Sequence, residues 1–411
     1  MANVVDPELR TRSVDNRFKY LPFVQKSGDE QPHTSVLEDG VTMAVGGFTL
    51  FALFLDGWRH NNMTGLDNFW ALPHLLLYAG LSLLGLWIAI VLLKHQKGGL
   101  RNLDWSAVPY GYGLAFVALP LAALAGNADF KWHAAFGFEN QIDSTYSPPH
   151  QLLFLAGTLL AAIPAASAWQ RRGIATSLGK LWPALISVST VVAMTMFVIH
   201  QSTPFYGAAA MTPAFQKDIA ARADAYAPGS EVHHIEGLSP ALTHYGDDAF
   251  PYYFYSTHNT INGLLLTSFM LFGGVLVMRR RWKLPFGSLT IVFAWLAWQL
   301  PLLSQYREWK LALSLVVAGV IGDVLLATLV GSEGPIRVSR VRIFATIMPV
   351  ILWGLFLLFL ANLGDGLGWG PTLWSGILTT SAGFGFAMSL LVFPPFEGTT
   401  VEQVPVAASA V

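Results

Sequence analysis

The chain contains no cysteine among its 411 residues. This absence excludes disulfides, thiolate zinc sites, cysteine-bound iron–sulfur clusters and cysteine nucleophiles. Charged residues are also scarce, at 12% of the chain against about 25% in soluble domains. With 53% hydrophobic residues, this composition indicates an integral membrane protein whose first partner is the lipid bilayer. The net charge of −1 supplies no basic excess, so we expect no nucleic-acid partner.

No cleavable signal peptide is visible, because the first forty residues are polar and charged and the first apolar run starts near Val41. Runs long enough to cross a bilayer, about 20 residues, occur at ten places. They are 41–58, 73–94, 107–126, 149–169, 181–200, 256–279, 285–304, 309–331, 341–362 and 371–393. The sequence therefore predicts an all-α integral membrane protein with about ten transmembrane helices, arranged as repeated outward-pointing helical hairpins.

Basic residues follow the even-numbered spans. Most of the 24 lysines and arginines lie in these loops and in the N-terminal segment, for example Lys94, Arg171 and Arg279–Arg281. By the positive-inside rule, both termini are predicted to be cytoplasmic in a bacterial-type inner membrane. Nearly all histidines then fall on the outer face.

These features divide the chain into five predicted segments. They are a cytoplasmic N-terminal segment (1–40), duplicated His/Asp hairpins (41–200), an outer loop insertion (201–255), further spans that serve mainly as scaffold (256–393) and a disordered cytoplasmic tail (394–411). The insertion is predicted to carry an amphipathic helix near 212–226 and a polar cluster. That cluster comprises Glu231, His233, His234, His244, Asp247 and Asp248.

One stretch combines histidine and carboxylate at helix ends. Asp129 and His133 are four residues apart at the end of an apolar helix, so they share a helix face. Pro148 and Pro149 then precede His150 at the start of the next helix. A hairpin would bring His150 back to the same membrane level. Two imidazoles and one carboxylate would then form a facial metal site.

The same arrangement occurs earlier in the chain. Asp56 and His60 are four residues apart, and His74 follows a proline at the start of the next apolar run. The aspartates of the two copies are 73 residues apart and the second histidines 76, which indicates an internal repeat. Arg59 beside Asp56 offers an alternative partner for that carboxylate.

A third, less complete set is Met196, His200 and His258, with methionine in the place of the aspartate. A soft sulfur ligand would favour copper, although methionine on a membrane helix commonly serves packing. Two loop acids, Glu139 and Asp143, are candidates to orient the imidazoles from outside the ligand set. For all three sets, a network of hydrogen bonds at the membrane interface is the alternative to a bound metal.

The D-x3-H motif followed by Pro-His at the next helix start resembles the metal site of the C subunit of copper membrane monooxygenases, the particulate methane and ammonia monooxygenase group. The matching residues are Asp129, His133 and His150, and again Asp56, His60 and His74. The resemblance covers about 40 residues per copy and implies copper, or zinc in its place, at the outer side of the membrane. This chain differs from that subunit in its greater length, its two copies of the motif and its loop length, so the resemblance transfers the metal site and not the reaction.

Three functions follow as hypotheses. The first is a membrane metalloprotein that binds copper, or alternatively zinc or iron, and acts as a monooxygenase-like oxidoreductase subunit on dioxygen or a small apolar substrate. The second is a metal transport or delivery protein, which would need polar residues leading inward from the sites, such as Asp323 or Gln299. The third is a non-catalytic membrane subunit of a larger complex or homo-oligomer. If the two triads face each other, a binuclear site results.

Overall fold

The computed structural model describes residues 31–63, 69–96, 104–139, 142–171, 177–206, 208–226, 249–331, 336–395 and 400–401. These residues form an all-α fold. Twelve helices occur in the described part of the chain: α1 Val36–Asn62, α2 Leu72–Lys94, α3 Ala115–Phe136, α4 Ile142–Tyr146, α5 Pro148–Gln170, α6 Leu178–Val198, α7 Pro213–Tyr226, α8 Ala249–Arg281, α9 Ser288–Gln299, α10 Trp309–Leu325, α11 Val338–Leu363 and α12 Pro371–Val392. A two-residue antiparallel strand pair joins β1 (Ile336–Arg337) to β2 (Thr400–Val401).

Nine of the helices in the described ranges are long and apolar enough to cross a membrane. The tenth predicted span is shorter: α9 continues as a 3₁₀ turn, and together they cover Ser288–Ser304. The third predicted span began too early. Residues 105–114 form two short 3₁₀ turns around Gly111, and α3 runs from Ala115 to Phe136. The count of ten spans and the hairpin repeat remain predictions.

Local sequence signals explain where the site-bearing helices begin and end. Ser35 and Glu38 form a reciprocal capping box at the start of α1. Prolines occupy the first turn of α2 and α5, where the missing N–H costs no hydrogen bond. Gly137 ends α3 with a positive φ of 81°, a conformation that glycine adopts without steric cost.

Helices α1, α2, α3, α5 and α6 form one side of the bundle, and α8 to α12 form the other. In the first group α1 packs on α2 and on α6, and α5 packs on α3 and α6. The second group is joined to it mainly through α6 and α9. The largest buried apolar cluster extends across both groups, so the two groups share one apolar core.

Three consecutive arginines at the end of α8 bind the ends of other helices. Arg279 donates to the carbonyl of Gly331 at 3.1 Å, Arg280 to that of Val392 and Arg281 to that of Trp169 at 2.8 Å. Cationic side chains near helix C-termini satisfy carbonyls that have no partner within the helix. These arginines, which the sequence predicts to lie on the cytoplasmic side, therefore connect the ends of several helices at this end of the bundle.

The insertion between α6 and α8 is described only in part. Helix α7 lies within one residue of the predicted amphipathic helix. The predicted polar cluster lies outside the described residues, as do residues 1–30 and the tail from residue 402.

Candidate metal centre

Six predicted ligands lie together at one end of the first helix group. We call them the His/Asp cluster: Asp56, His60, His74, Asp129, His133 and His150. Each aspartate and the first histidine of its motif lie in the last two turns of α1 or α3. Each second histidine is the third residue of α2 or α5. All six are at most 8% exposed.

The first triad is nearly equilateral. Asp56 Oδ2 lies 3.7 Å from His60 Nε2 and 3.5 Å from His74 Nε2, and the two Nε2 atoms are 3.4 Å apart. A tetrahedral ion with ligands at about 2.0–2.1 Å has ligand–ligand edges of roughly 3.3 Å. The three donor atoms are therefore spaced like one face of such a coordination sphere.

The second triad meets at one carboxylate oxygen. Asp129 Oδ1 is 3.2 Å from His133 Nε2 and 3.0 Å from His150 Nε2. Tyr78 donates to the other oxygen, Oδ2, at 2.6 Å. Because Tyr78 comes four residues after His74 on α2, it shares the face that carries His74. This contact was not predicted, although the four-residue spacing of His74 and Tyr78 indicates it.

The two triads form a single cluster. His74 groups within 4.8 Å both with Asp56 and His60 and with Asp129 and His133. The ring centroids of His60 and His133 are 6.2 Å apart, and those of His74 and His133 are 5.9 Å apart. One pocket with a volume of about 30 Å³ is lined by residues of both triads. The two groupings that could hold a metal ion share His74, and neither includes His150.

Main-chain carbonyls fix three of the imidazoles. His60 Nδ1 donates to the carbonyl of Glu139 at 2.9 Å, His133 Nδ1 to that of Gly137 at 3.2 Å and His150 Nδ1 to that of Ser144. An imidazole that donates from Nδ1 presents Nε2 as its acceptor, which is the usual orientation of metal-bound histidine. All three Nε2 atoms lie at the carboxylates or at His74.

The segment 137–139 lies over the cluster. Phe138 stacks on His133 with ring centroids 4.1 Å apart. Glu139 holds His60 through its carbonyl and places carboxylate Oε2 3.2 Å from His133 Nδ1. One residue therefore contacts a histidine of each triad. By contrast, Asp143, the other predicted orienting acid, is exposed.

The third predicted set does not converge in the same way. Met196 is fully buried in the main apolar cluster. His200 lines the pocket of the His/Asp cluster, but its Nε2 faces Asn61 Nδ2 at 2.9 Å and its Nδ1 donates to the carbonyl of Phe197. His258 is exposed and stacks on Phe254. Burial lowers the pKa of His200, so this imidazole is neutral at physiological pH.

Asp323 and Gln299, the polar residues proposed to lead inward, lie in the second helix group. Asp323 accepts from the backbone N–H groups of Leu289 and Thr290, each at 2.9 Å. It therefore caps the start of α9 from a neighbouring helix. Gln299 is fully buried at the end of α9. Neither lines the pocket of the His/Asp cluster among its described residues.

The geometry defines a buried His/Asp cluster in an all-α, membrane-type fold. Comparison of the chain with models of known families gives no match, and neither curated proteins nor solved structures match it.

Proposed function

We propose that this chain is a membrane metalloprotein whose His/Asp cluster holds two adjacent metal ions. Asp56, His60 and His74 would hold one ion. Asp129, His133 and His150 would hold the other, with His74 close to both. The observation that carries the proposal is the coordination-sphere spacing of Asp56, His60 and His74, with Asp129 Oδ1 nearby at 3.2 Å or less from His133 Nε2 and His150 Nε2.

Charge balance supports the same conclusion. Two aspartates that are 5% and 1% exposed would be costly to bury as anions without compensating positive charge. In the described part of the chain, no lysine or arginine lines their pocket. At the pocket itself, positive charge would come from metal ions or from protons on the imidazoles, and Arg59 next to Asp56 in the chain offers a third source. The competing reading, a protonated hydrogen-bond network, therefore makes a different prediction for metal binding.

Copper is the metal we propose, with zinc and iron as alternatives. Imidazole and carboxylate donors suit all three metals, and the motif's resemblance to the copper membrane monooxygenases favours copper. A bound redox metal would supply electron transfer to dioxygen at these donors. The protein would hold the ion, orient its ligands and surround it with apolar side chains such as Leu77, Leu153 and Phe154.

An oxidoreductase role fits these surroundings better than metal transport. A transport path needs polar groups that continue inward from the site. Inward of the His/Asp cluster, the described residues are mainly leucine and other apolar residues, and the three threonines among them already have hydrogen-bond partners. We therefore propose oxygen-dependent oxidation, as a monooxygenase-like subunit, ahead of metal delivery.

Equilibrium metal titration of the purified, metal-stripped protein tests the proposal. We expect wild type to bind two copper, zinc or iron ions per chain. His133→Ala with His150→Ala should bind no more than one, whereas His258→Ala, which alters an exposed histidine, should bind two. No bound ion in wild type, or two in the double variant, would reject the metal centre. Oxygen consumption by the loaded protein then separates an oxidase or oxygenase from a carrier.

A further inference from the structure

A second cavity lies among α1, α2, α5 and α6. Its volume is about 40 Å³. Its walls are mainly leucine, methionine and phenylalanine, and many of these side chains are buried, among them Met43, Leu84 and Leu160 at 1%, 4% and 1% exposure. The cavity is thus enclosed largely by buried side chains of the bundle.

The residues that line the cavity extend over several turns of the helices. On α1 they run from Thr42 to Leu53, a rise of about 16 Å at 1.5 Å per residue. On α5 they run from Leu153 to Ala161, about 12 Å by the same rise. A small volume between walls of this length suits a ligand about as wide as one aliphatic chain, and we call the cavity the channel.

The hydroxyl groups in the wall already have partners. Thr42 Oγ1 donates to the carbonyl of Glu38, and Thr49 Oγ1 donates to that of Val45. Thr190 Oγ1 accepts from Trp295 Nε1 at 2.9 Å. A wall whose polar groups already make hydrogen bonds has few groups left to bind water or ions. Apolar cavities of this kind stay dry and bind apolar ligands.

The channel adjoins the pocket of the His/Asp cluster. Four side chains, Leu53, Leu77, Leu153 and Phe154, line both the channel and the cluster pocket. The end of a chain lying in the channel would therefore contact side chains that also border the pocket of Asp56 and His74.

We propose that this channel binds an unbranched aliphatic chain with one end at the side chains that the channel shares with the cluster pocket. The position of that end relative to the metal rests on the proposed function, whereas binding of the chain itself does not require a metal. An aliphatic chain can come from a free hydrocarbon or from the acyl chain of a membrane lipid, and both share the chemistry that the channel recognises.

Photo-crosslinking tests the proposal in metal-loaded and in metal-free protein. One arm uses an n-alkane that carries a terminal diazirine, and the other uses a phospholipid with the diazirine on its acyl chain. We expect labelled peptides from α1 and α5 that contain channel residues, in both metal states. The arm that labels them identifies the source of the chain.

Two plugging variants and one control sharpen the test. A Cβ at Gly46 would have its nearest neighbour, Met43 Cε, at 3.9 Å, so Gly46→Leu fills the channel without moving backbone. Gly157→Val adds a side chain to the channel from α5, where a Cβ would lie 3.0 Å from Cε, the flexible end of Met194. Gly354→Leu makes the matched change on α11, where a Cβ meets nothing within 4 Å.

Channel labelling should fall at least tenfold in both plugging variants and stay at the wild-type level in Gly354→Leu. Equal labelling in the plugged and control proteins would overturn the proposal, as would labelling confined to lipid-facing positions. If wild type binds no metal but its channel is labelled and plugged as expected, the metal centre fails and the channel stands.

Discussion

At the scale of single residues, the proposed metal centre depends on which nitrogen of each histidine already makes a hydrogen bond. His60, His133 and His150 each donate Nδ1–H to a carbonyl of the segment that joins α3 to α5 and includes α4. Their Nε2 atoms are thereby directed at the carboxylates or at His74. Such preorientation lowers the cost of assembling a metal site.

Glu139 is the residue whose replacement separates a metal centre from a passive network. Groups that orient metal-bound histidines change metal affinity by about 10–100-fold when replaced. We expect Glu139→Gln to weaken metal binding by about that factor, because it removes the carboxylate beside His133 but keeps the carbonyl that holds His60. Isothermal titration with each metal measures the change.

Asp143→Asn is the matched control, since Asp143 is an exposed acid in the same loop. It should bind metal as wild type does. Equal affinities in wild type, Glu139→Gln and Asp143→Asn would show that Glu139 does not orient a ligand.

The pKa of a second acid, Glu308, leads to a prediction of how the stability of the fold depends on pH. Burial and the nearby charge of Asp365 raise the pKa of Glu308, so the folded protein holds this proton to a higher pH than the unfolded chain does. The free energy of unfolding therefore falls as pH rises from about 4.3 through the raised pKa. Glu308→Gln removes this loss.

Thermal unfolding in detergent measures the effect. The free energy of unfolding of Glu308→Gln should exceed that of wild type by more at pH 8 than at pH 4. The change in this difference should be no more than about 1 kcal/mol, because the side chain is only half-buried. Asp365→Asn should shift stability in the same direction and by less. A pH-independent difference would contradict this explanation.

At the scale of helices, the sequence predicted the pairing of each aspartate with a histidine better than the meeting of the two pairs in one cluster. The spacing of Asp56 and His60, and of Asp129 and His133, follows from helix geometry alone. That His74 lies beside both triads depends on how α2 packs between α1 and α3, which no local pattern specifies. The start of α3 was placed too early because residues 105–114 are apolar enough for a span yet turn around Gly111.

The contact between α1 and α2 sets the geometry of the first triad. A Cβ at Gly80 would lie 2.7 Å from Thr49 Oγ1 and 3.1 Å from Thr49 Cα, so these helices can approach closely only without a side chain there. We expect Gly80→Ala to destabilise the fold by about 1–3 kcal/mol and to weaken metal binding. Thermal unfolding and metal titration measure the two effects.

Gly376→Ala is the control, since a Cβ at this position of α12 meets nothing within 4 Å. It should be neutral, or stabilising by up to about 1 kcal/mol because alanine favours helix. If Gly80→Ala behaves like Gly376→Ala, close α1–α2 packing does not hold the first triad.

At the scale of the whole molecule, composition predicts the membrane-type, all-α fold, but the orientation remains a prediction. The absence of cysteine allows it to be tested with single-cysteine variants. Gln170→Cys lies at the predicted cytoplasmic end of α5, and Asp365→Cys lies in the predicted outer turn before α12; both positions are exposed.

In intact cells, a membrane-impermeant maleimide should label Asp365→Cys and leave Gln170→Cys unlabelled until the membrane is permeabilised. The opposite pattern would place the His/Asp cluster on the cytoplasmic side and remove the basis for an outward-facing metal centre.

The central claim is that the six clustered side chains hold metal. Anomalous X-ray diffraction from crystals of the copper-loaded protein tests it most directly. The account predicts two anomalous peaks inside the cluster, each about 2.0–2.2 Å from imidazole Nε2 atoms and an aspartate oxygen. Peaks only at the protein surface, with the histidines bonded to Asp56 and Asp129 and no density between them, would contradict it.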